Sequence, residues 1–242
     1  MSQLPNHSAA SRDPSGAGPL SLREGEPVPA ALPSGFPSLK ERGPGGEAKR
    51  LAILLSGRGS NMVALVKAVQ QGELHGLAEI AVVFSNKPDA PGLTTAADLG
   101  CPTASLTAQG LKRPDYDAEV VKLLLTYQPD YVVLAGYMRI LSPVFVQAFA
   151  GRILNIHPAD THQHQGLHAY EWAFNNRLAE TKITVHMVDE GLDTGPILAQ
   201  RTVDLRGADT LSEVERRGLL VEHELYANTL VKLLRSELKI EN

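Results

Sequence analysis

Three side chains suited to acyl-transfer chemistry stand in two segments of this chain. Asn155 and His157 lie two residues apart, and Asp193 precedes Thr194–Pro196 in a later turn-rich segment. An amide N–H can hydrogen-bond a developing oxyanion. An imidazole can donate or relay a proton, and a nearby carboxylate favours the imidazolium form. Together they suit transfer of an acyl group to an amine without a covalent intermediate.

The spacing of Asn155 and His157 lets both side chains address one atom. Residues i and i+2 of an extended chain face the same way, and this stretch follows an apolar run typical of a strand end. A lone buried histidine is more often structural, and Asp193 before Thr-Gly is more often a turn residue. The two motifs together favour catalysis. We expect Asp193 to raise the pKa of His157 above ~6.5.

A glycine-containing turn, Ser56–Asn61, follows the first apolar run and precedes a helical pattern. Such a turn brings a phosphate close to the free N–H groups at a helix N-terminus. The turn is not the dinucleotide fingerprint, because Met62 stands at the third glycine position, and it lacks the lysine of a Walker loop. It predicts either a phosphate site or a purely structural βα turn.

Apolar runs and helical spacing alternate along the chain. The predicted strands are Leu51–Leu55, Glu79–Phe84, Tyr131–Ala135, Ile153–Ile156, Ile183–Val188 and Ile197–Val203. The predicted helices are Asn61–Gln71, Pro91–Leu99, Tyr116–Tyr127, Pro143–Phe149, His168–Asn175 and Leu219–Leu234. This alternation predicts an α/β fold with a doubly wound, mostly parallel sheet. Ligands of such folds bind beyond the carboxyl ends of the strands.

Composition limits the class of protein. The 242 residues carry a net charge of −4 and one cysteine, Cys101, which excludes a disulfide framework and a cysteine-ligated zinc site. Residues 1–48 are rich in Pro, Gly and Ser and predict a disordered tail before a domain of residues 49–242. No apolar run suggests a membrane span, and the charge gives no general attraction to nucleic acid. We expect a cytoplasmic protein.

Five motifs stand out along the chain: Ser56–Asn61, Phe84–Lys87, Ala135–Leu141, Asn155–Pro158 and Leu192–Pro196. Their order and spacing resemble those of the folate-dependent glycinamide ribonucleotide formyltransferases of purine synthesis. The resemblance covers roughly residues 50–233.

The resemblance implies a Rossmann-like formyltransferase fold and transfer of a formyl group from 10-formyltetrahydrofolate, a co-substrate, to the amine of 5-phosphoribosylglycinamide. It implies small-molecule partners, a monomer or homodimer, and no bound metal. The implied catalytic residues are Asn155, His157 and Asp193, and the implied substrate-binding residues are Gly59, Ser60, Asn61 and Glu222. The implied folate-binding residues are Arg113, Met138, Arg139, Ile140, Leu141, Asn155, Asp189, Glu190, Gly191 and Leu192.

The chain departs from the family pattern directly after His157. The family has an apolar stretch ending in Pro-Gly, whereas residues 159–166 read ADTHQHQG, and Lys182 replaces a small residue. His162 and His164 with Asp160 could suggest a zinc site, but their spacing matches no standard signature, so the segment is interpreted as a polar lid.

Several other functions are compatible with these motifs. Deformylases that hydrolyse formyltetrahydrofolate share the Asn, His and Asp, but carry a regulatory domain that a Pro/Gly-rich tail does not supply. Enzymes that formylate initiator Met-tRNA carry a further carboxyl-terminal domain, and the charge of −4 argues against tRNA. A formyltransferase for another amine, such as an amino-sugar nucleotide, is also compatible, as is a non-catalytic folate- or nucleotide-binding protein.

Overall fold

The computed structural model describes residues 48–238, so the predicted disordered tail lies, except for Ala48, outside the described residues. The strands are β1 (Lys49–Leu55), β2 (Ala78–Ser85), β3 (Thr103–Ser105), β4 (Tyr131–Leu134), β5 (Ile153–His157), β6 (Glu180–Met187) and β7 (Ile197–Asp204). The helices are α1 (Ser60–Gln71), α2 (Pro91–Asp98), α3 (Arg113–Thr126), α4 (Pro143–Ala148), α5 (Ala169–Asn175) and α6 (Leu211–Leu234).

The strands form one seven-stranded sheet in the order β3-β2-β1-β4-β5-β6-β7. Strands β1 to β5 run parallel, whereas β6 is antiparallel to both β5 and β7. Because β1 lies between β2 and β4, the strand order reverses there, which creates a switch point at the carboxyl ends of β1 and β4. The predicted doubly wound, mostly parallel α/β sheet is confirmed.

Apolar side chains cover both faces of the sheet. Leu51, Ile53 and Leu55 belong to one buried cluster, whereas Ala52 and Leu54 belong to the other. Successive side chains of a strand point to opposite faces, so β1 supplies both cores. This two-sided burial explains why the strand is a continuous apolar run rather than an alternating one.

Helix α6 is fastened to the centre of the sheet near the switch point. Tyr226 is fully buried, and its hydroxyl lies within hydrogen-bond distance of the carbonyl oxygens of Leu134 (3.0 Å) and Leu154 (3.1 Å). The Leu134 carbonyl stands at the end of β4, and the Leu154 carbonyl directly precedes Asn155 in β5. A single residue of α6 therefore ties together the two strands that position Asn155.

Two elements differ most from the sequence prediction. Helix α6 begins at Leu211, eight residues before the predicted Leu219, because the Thr210 hydroxyl accepts a hydrogen bond from the Glu213 backbone N–H and caps the helix there. The edge strand β3 was not predicted, since three residues are too few for a periodic signal. Among the helices of residues 48–238, none has the length and apolar character that crossing a bilayer requires.

Candidate active site

A cleft of about 790 Å³ opens at the switch point, beyond the carboxyl ends of β1, β4 and β5. Its walls come from the turn after β1, the segment after β4, the end of β5, the loop before β7 and the helices α5 and α6. Asn155, His157 and Asp193 all line this cleft, so the two motifs found in the sequence meet in space.

Asp193 lies at the centre of the polar side chains of the cleft. Its side chain is only 10% exposed. Its Oδ1 accepts a hydrogen bond from Asn155 Nδ2 at 3.3 Å, and its Oδ2 accepts one from the Gly166 backbone N–H at 2.8 Å. Oδ2 also lies 3.6 Å from His157 Nδ1. Burial alone would raise the pKa of Asp193, but the contacts with His186, Gly166 and His157 hold it below its usual range. The carboxylate is therefore ionised at neutral pH.

The protonation of His157 corrects the sequence-based expectation. The ring is 4% exposed, with Nε2 2.9 Å from the His164 carbonyl oxygen and Nδ1 facing Asp193. Burial lowers the pKa of His157, and the Asp193 carboxylate and the His164 carbonyl offset this only in part. The expected rise above the ordinary value was wrong, because the cost of desolvating the imidazolium exceeds its attraction to one carboxylate. His157 is accordingly neutral at neutral pH in the free enzyme.

Sequence reasoning missed His186, a fourth polar residue of this cluster. It pairs with Asn155 across the antiparallel β5–β6 ladder and is 1% exposed. Its Nδ1 lies 2.8 Å from the Met187 carbonyl oxygen, and its Nε2 lies 3.2 Å from Asn155 Nδ2 and 3.4 Å from Asp193 Oδ1. Only the antiparallel register brings His186 here, and the sequence did not reveal that register.

The turn after β1, which the sequence predicted as either a phosphate site or a structural turn, lies at the edge of the cleft. Gly59 is the N-cap of α1 and has a left-handed φ of 75°, a conformation that side chains other than glycine rarely adopt. A Cβ at Gly59 would meet Leu55 and Met62 rather than a ligand, so this glycine shapes the turn. Ser60 and Asn61 begin the helix at the edge of the cleft, where their N–H groups are available to an anion.

A second polar group lies between α1, α5 and α6. The buried carboxylate of Glu222 accepts hydrogen bonds from Asn61 Nδ2 and from the Tyr170 hydroxyl. A Cβ at Gly218 would fall 2.1 Å from that hydroxyl, so glycine is needed there for Tyr170 to reach Glu222. Glu222 and Asn61 are residues that the family resemblance assigns to the substrate, whereas Tyr170 was not predicted from the sequence.

Apolar side chains flank the other end of the cleft. Met138 and Ile140 are 61% and 59% exposed, and Leu192 is 46% exposed. All three line the cleft together with Arg139, Leu141, Asp189 and Gly191. The Met138 backbone N–H is bound by the Ser56 hydroxyl at 2.8 Å, which fixes the segment after β4 against the turn after β1. Exposed apolar groups on two facing segments suit a flat aromatic ligand.

Two residues assigned to the folate lie elsewhere. Arg113 begins α3 with an exposed side chain, and Glu190 accepts a hydrogen bond from Gln147 at 3.1 Å. Neither lines the cleft. Their assignment to the folate remains a prediction. Within residues 48–238, no three His, Cys, Asp or Glu side chains are grouped so as to hold a metal ion.

Replacement of Asp193 tests its electrostatic effect on His157. Because the carboxylate raises the pKa of the buried ring, Asp193→Asn should lower the pKa of His157 further, so its proton NMR titration should move to lower pH. The control is Asp189→Asn, in the same loop, whose carboxylate bonds Gly191 and Thr194 instead. An identical His157 titration in wild type and Asp193→Asn would contradict the assigned contact.

Comparison with known proteins identifies the family of this chain. The formyl transferase family model matches residues 49–230. The chain is 40% identical over 177 residues to phosphoribosylglycinamide formyltransferase of Escherichia coli K12, covering 73% of this chain and 82% of that one. The crystal structure of the Bacillus halodurans phosphoribosylglycinamide formyltransferase matches with a TM-score of 0.73 and 41% identity, over 77% of this chain and 95% of that one. Glycinamide ribonucleotide transformylase 1 of Symbiobacterium toebii matches with a TM-score of 0.77 and 33% identity, over 86% and 97%. The chain therefore belongs to the formyl transferase family, among the phosphoribosylglycinamide formyltransferases.

Proposed function

We propose that this protein transfers the formyl group of 10-formyltetrahydrofolate to the amine of 5-phosphoribosylglycinamide, with Asn155, His157 and Asp193 as the catalytic residues. The observation that carries the proposal is their convergence between an anion-binding helix N-terminus and an apolar-walled segment of one cleft. Cys101, the only cysteine, does not line that cleft, and burial raises the pKa of its thiol. A thiol nucleophile is therefore not part of the mechanism.

The first step is attack of the free amine on the formyl carbon, which places negative charge on the formyl oxygen. Asn155 Nδ2 donates to that oxygen. Its present partners, Asp193 Oδ1 and His186 Nε2, lie at 3.3 and 3.2 Å, near the long end of hydrogen-bond distances, so a charged oxyanion competes well for its hydrogens. Preorganised donors of this kind typically contribute about 3–4 kcal/mol to the transition state.

The second step moves one proton. Neutral His157 accepts the proton that the attacking amine must lose on Nδ1, the ring nitrogen that faces Asp193, directly or through a water molecule. The imidazolium that results donates to Asp193 and to the His164 carbonyl. The imidazolium then protonates N10 of the folate as the bond between N10 and the formyl carbon breaks. The products are tetrahydrofolate and the N-formylated ribonucleotide. The lowered pKa of His157 suits this cycle, because a ring that is already charged could not accept the proton.

Both substrates would lie in this cleft. Ser60 and Asn61 would hold the phosphate and ribose end, and Glu222 would contact the aminated sugar. Residues 138–141, together with Asp189, Gly191 and Leu192, would hold the pterin ring. The folate supplies the formyl group as a second substrate.

The proposal also covers the domain bounds, the partners, the oligomeric state and the location of the enzyme. We infer a catalytic domain of residues 49–242, which the family match to residues 49–230 supports. We infer small-molecule partners, a monomer or homodimer, and a cytoplasmic location.

The reaction is tested by measuring tetrahydrofolate release from 10-formyltetrahydrofolate with and without 5-phosphoribosylglycinamide. Release should depend on the ribonucleotide and equal the amount of formylated product. Release at the same rate without an amine would instead identify a hydrolase. Release with an amino-sugar nucleotide but not with the ribonucleotide would identify a different acceptor, and no release would favour a binding protein.

The catalytic residues are tested by Asn155→Ala and His157→Ala. Each should lower kcat by on the order of 10²-fold or more, because each removes a group that acts mainly in the transition state. The affinity for either substrate, measured by titration, should change little. Near-normal turnover in both folded variants would contradict the mechanism.

The phosphate end is tested by Ser60→Asp. A carboxylate at the first position of α1 favours the helix dipole but repels a phosphate, so folding should be preserved while KM for the ribonucleotide rises by about 10-fold or more. Ser60→Asn, which adds no charge, is the matched control. A rise in the folate KM instead would mean that the two ligands occupy opposite ends from those proposed.

A further inference from the structure

The polar segment 159–166 covers the catalytic histidine. His157 Nε2 donates to the His164 carbonyl oxygen at 2.9 Å, and the Gly166 N–H donates to Asp193 Oδ2 at 2.8 Å. Both contacts come from backbone groups of the segment. Their placement therefore depends on the path of the chain, and not on the identity of the side chains at positions 164 and 166.

An ion pair with β6 fixes that path. Lys182 Nζ lies 2.7 Å from Asp160 Oδ2, and the Asp160 side chain is only 8% exposed. The Lys182 ammonium holds the pKa of Asp160 below its usual range. Asp160 Oδ1 accepts from the His162 N–H at 3.1 Å, and the Asp160 backbone oxygen accepts from the N–H groups of Gln163 and His164. The anchored residue thus orients the turn that ends at His164.

Two further contacts hold the segment in place. The Thr184 hydroxyl of β6 donates to the Ala159 carbonyl at 2.7 Å. The His164 ring stacks on Trp172 of α5, with centroids 4.9 Å apart and planes inclined by 14°. The ring of His164 also lies nearly parallel to that of His157, with centroids 6.2 Å apart. The segment is therefore clamped between the β6–β7 hairpin and α5, directly over His157.

We propose that Lys182 and Asp160 are positioning residues for formyl transfer, which act by holding the His164 carbonyl against Nε2 of His157. This inference rests on the proposed function of His157. The His164 carbonyl fixes the ring with Nδ1 towards Asp193. In this orientation an imidazolium would donate from Nε2 to the carbonyl oxygen and from Nδ1 to the Asp193 carboxylate. The titratable groups that face His157 are Asp193, His186 and His164.

Lys182→Met tests the inference, with Lys182→Arg as the conservative variant. The His164 carbonyl raises the pKa of His157, so its displacement should move the NMR titration of the His157 ring to lower pH. The misplaced ring should lower kcat by about 10-fold or more with little change in either KM. Lys182→Arg should keep both the His157 titration and kcat close to those of the wild type. Lys122→Met, which removes a lysine from the ion pair with Glu119 on α3, should change neither.

An unchanged His157 titration together with unchanged kcat in folded Lys182→Met would overturn the inference. If Lys182→Met does not fold, Asp160→Asn, which keeps the side-chain volume and removes the charge, takes its place with the same two readouts. The NMR measurement needs no substrate. A wild-type enzyme without formyl transfer would therefore defeat the proposed function, while the titration would still decide whether Lys182 positions His157.

Discussion

The candidate site depends on the buried carboxylate of Asp193. Its backbone has a left-handed φ of 53°, and its two carboxylate oxygens contact groups from β5, β6 and the segment after β5. A buried charge is costly unless it is paired and hydrogen-bonded. The contacts with Asn155, His157, Gly166 and His186 meet that requirement. Folding of three separate segments around one carboxylate thus also assembles the side chains that catalysis needs.

The same burial sets the chemistry of His157. In water, a carboxylate beside an imidazole would raise its pKa, but here desolvation of the ring is the larger effect. A neutral imidazole can accept a proton, and the ionised Asp193 beside it then stabilises the imidazolium that forms. Electrostatic stabilisation is therefore small in the free enzyme and greatest when an oxyanion forms, which is the condition for accelerating the chemical step.

Much of this architecture was predictable from local sequence. Apolar runs located six of the seven strands, and the spacing of Asn155 and His157 placed both side chains on one face of β5. The early start of α6 was missed although Thr210 and Glu213 form a recognisable capping pattern. His186 and the clamp between Lys182 and Asp160 depend on the register of β5, β6 and β7, which is a tertiary property. The pKa of His157 depends on its burial, which the sequence does not quantify.

The central claim is that the formyl group passes directly from the folate to the amine. Asn155, His157 and Asp193 assist this transfer, and none of them acts as a nucleophile. A single-turnover experiment with excess enzyme and 10-formyltetrahydrofolate labelled with carbon-14 in the formyl group tests this most directly. Without an acceptor, acid-quenched protein should carry no label, and after addition of 5-phosphoribosylglycinamide the label should appear in the ribonucleotide. Label bound covalently to the protein, with a rate of appearance and loss that matches turnover, would contradict the account.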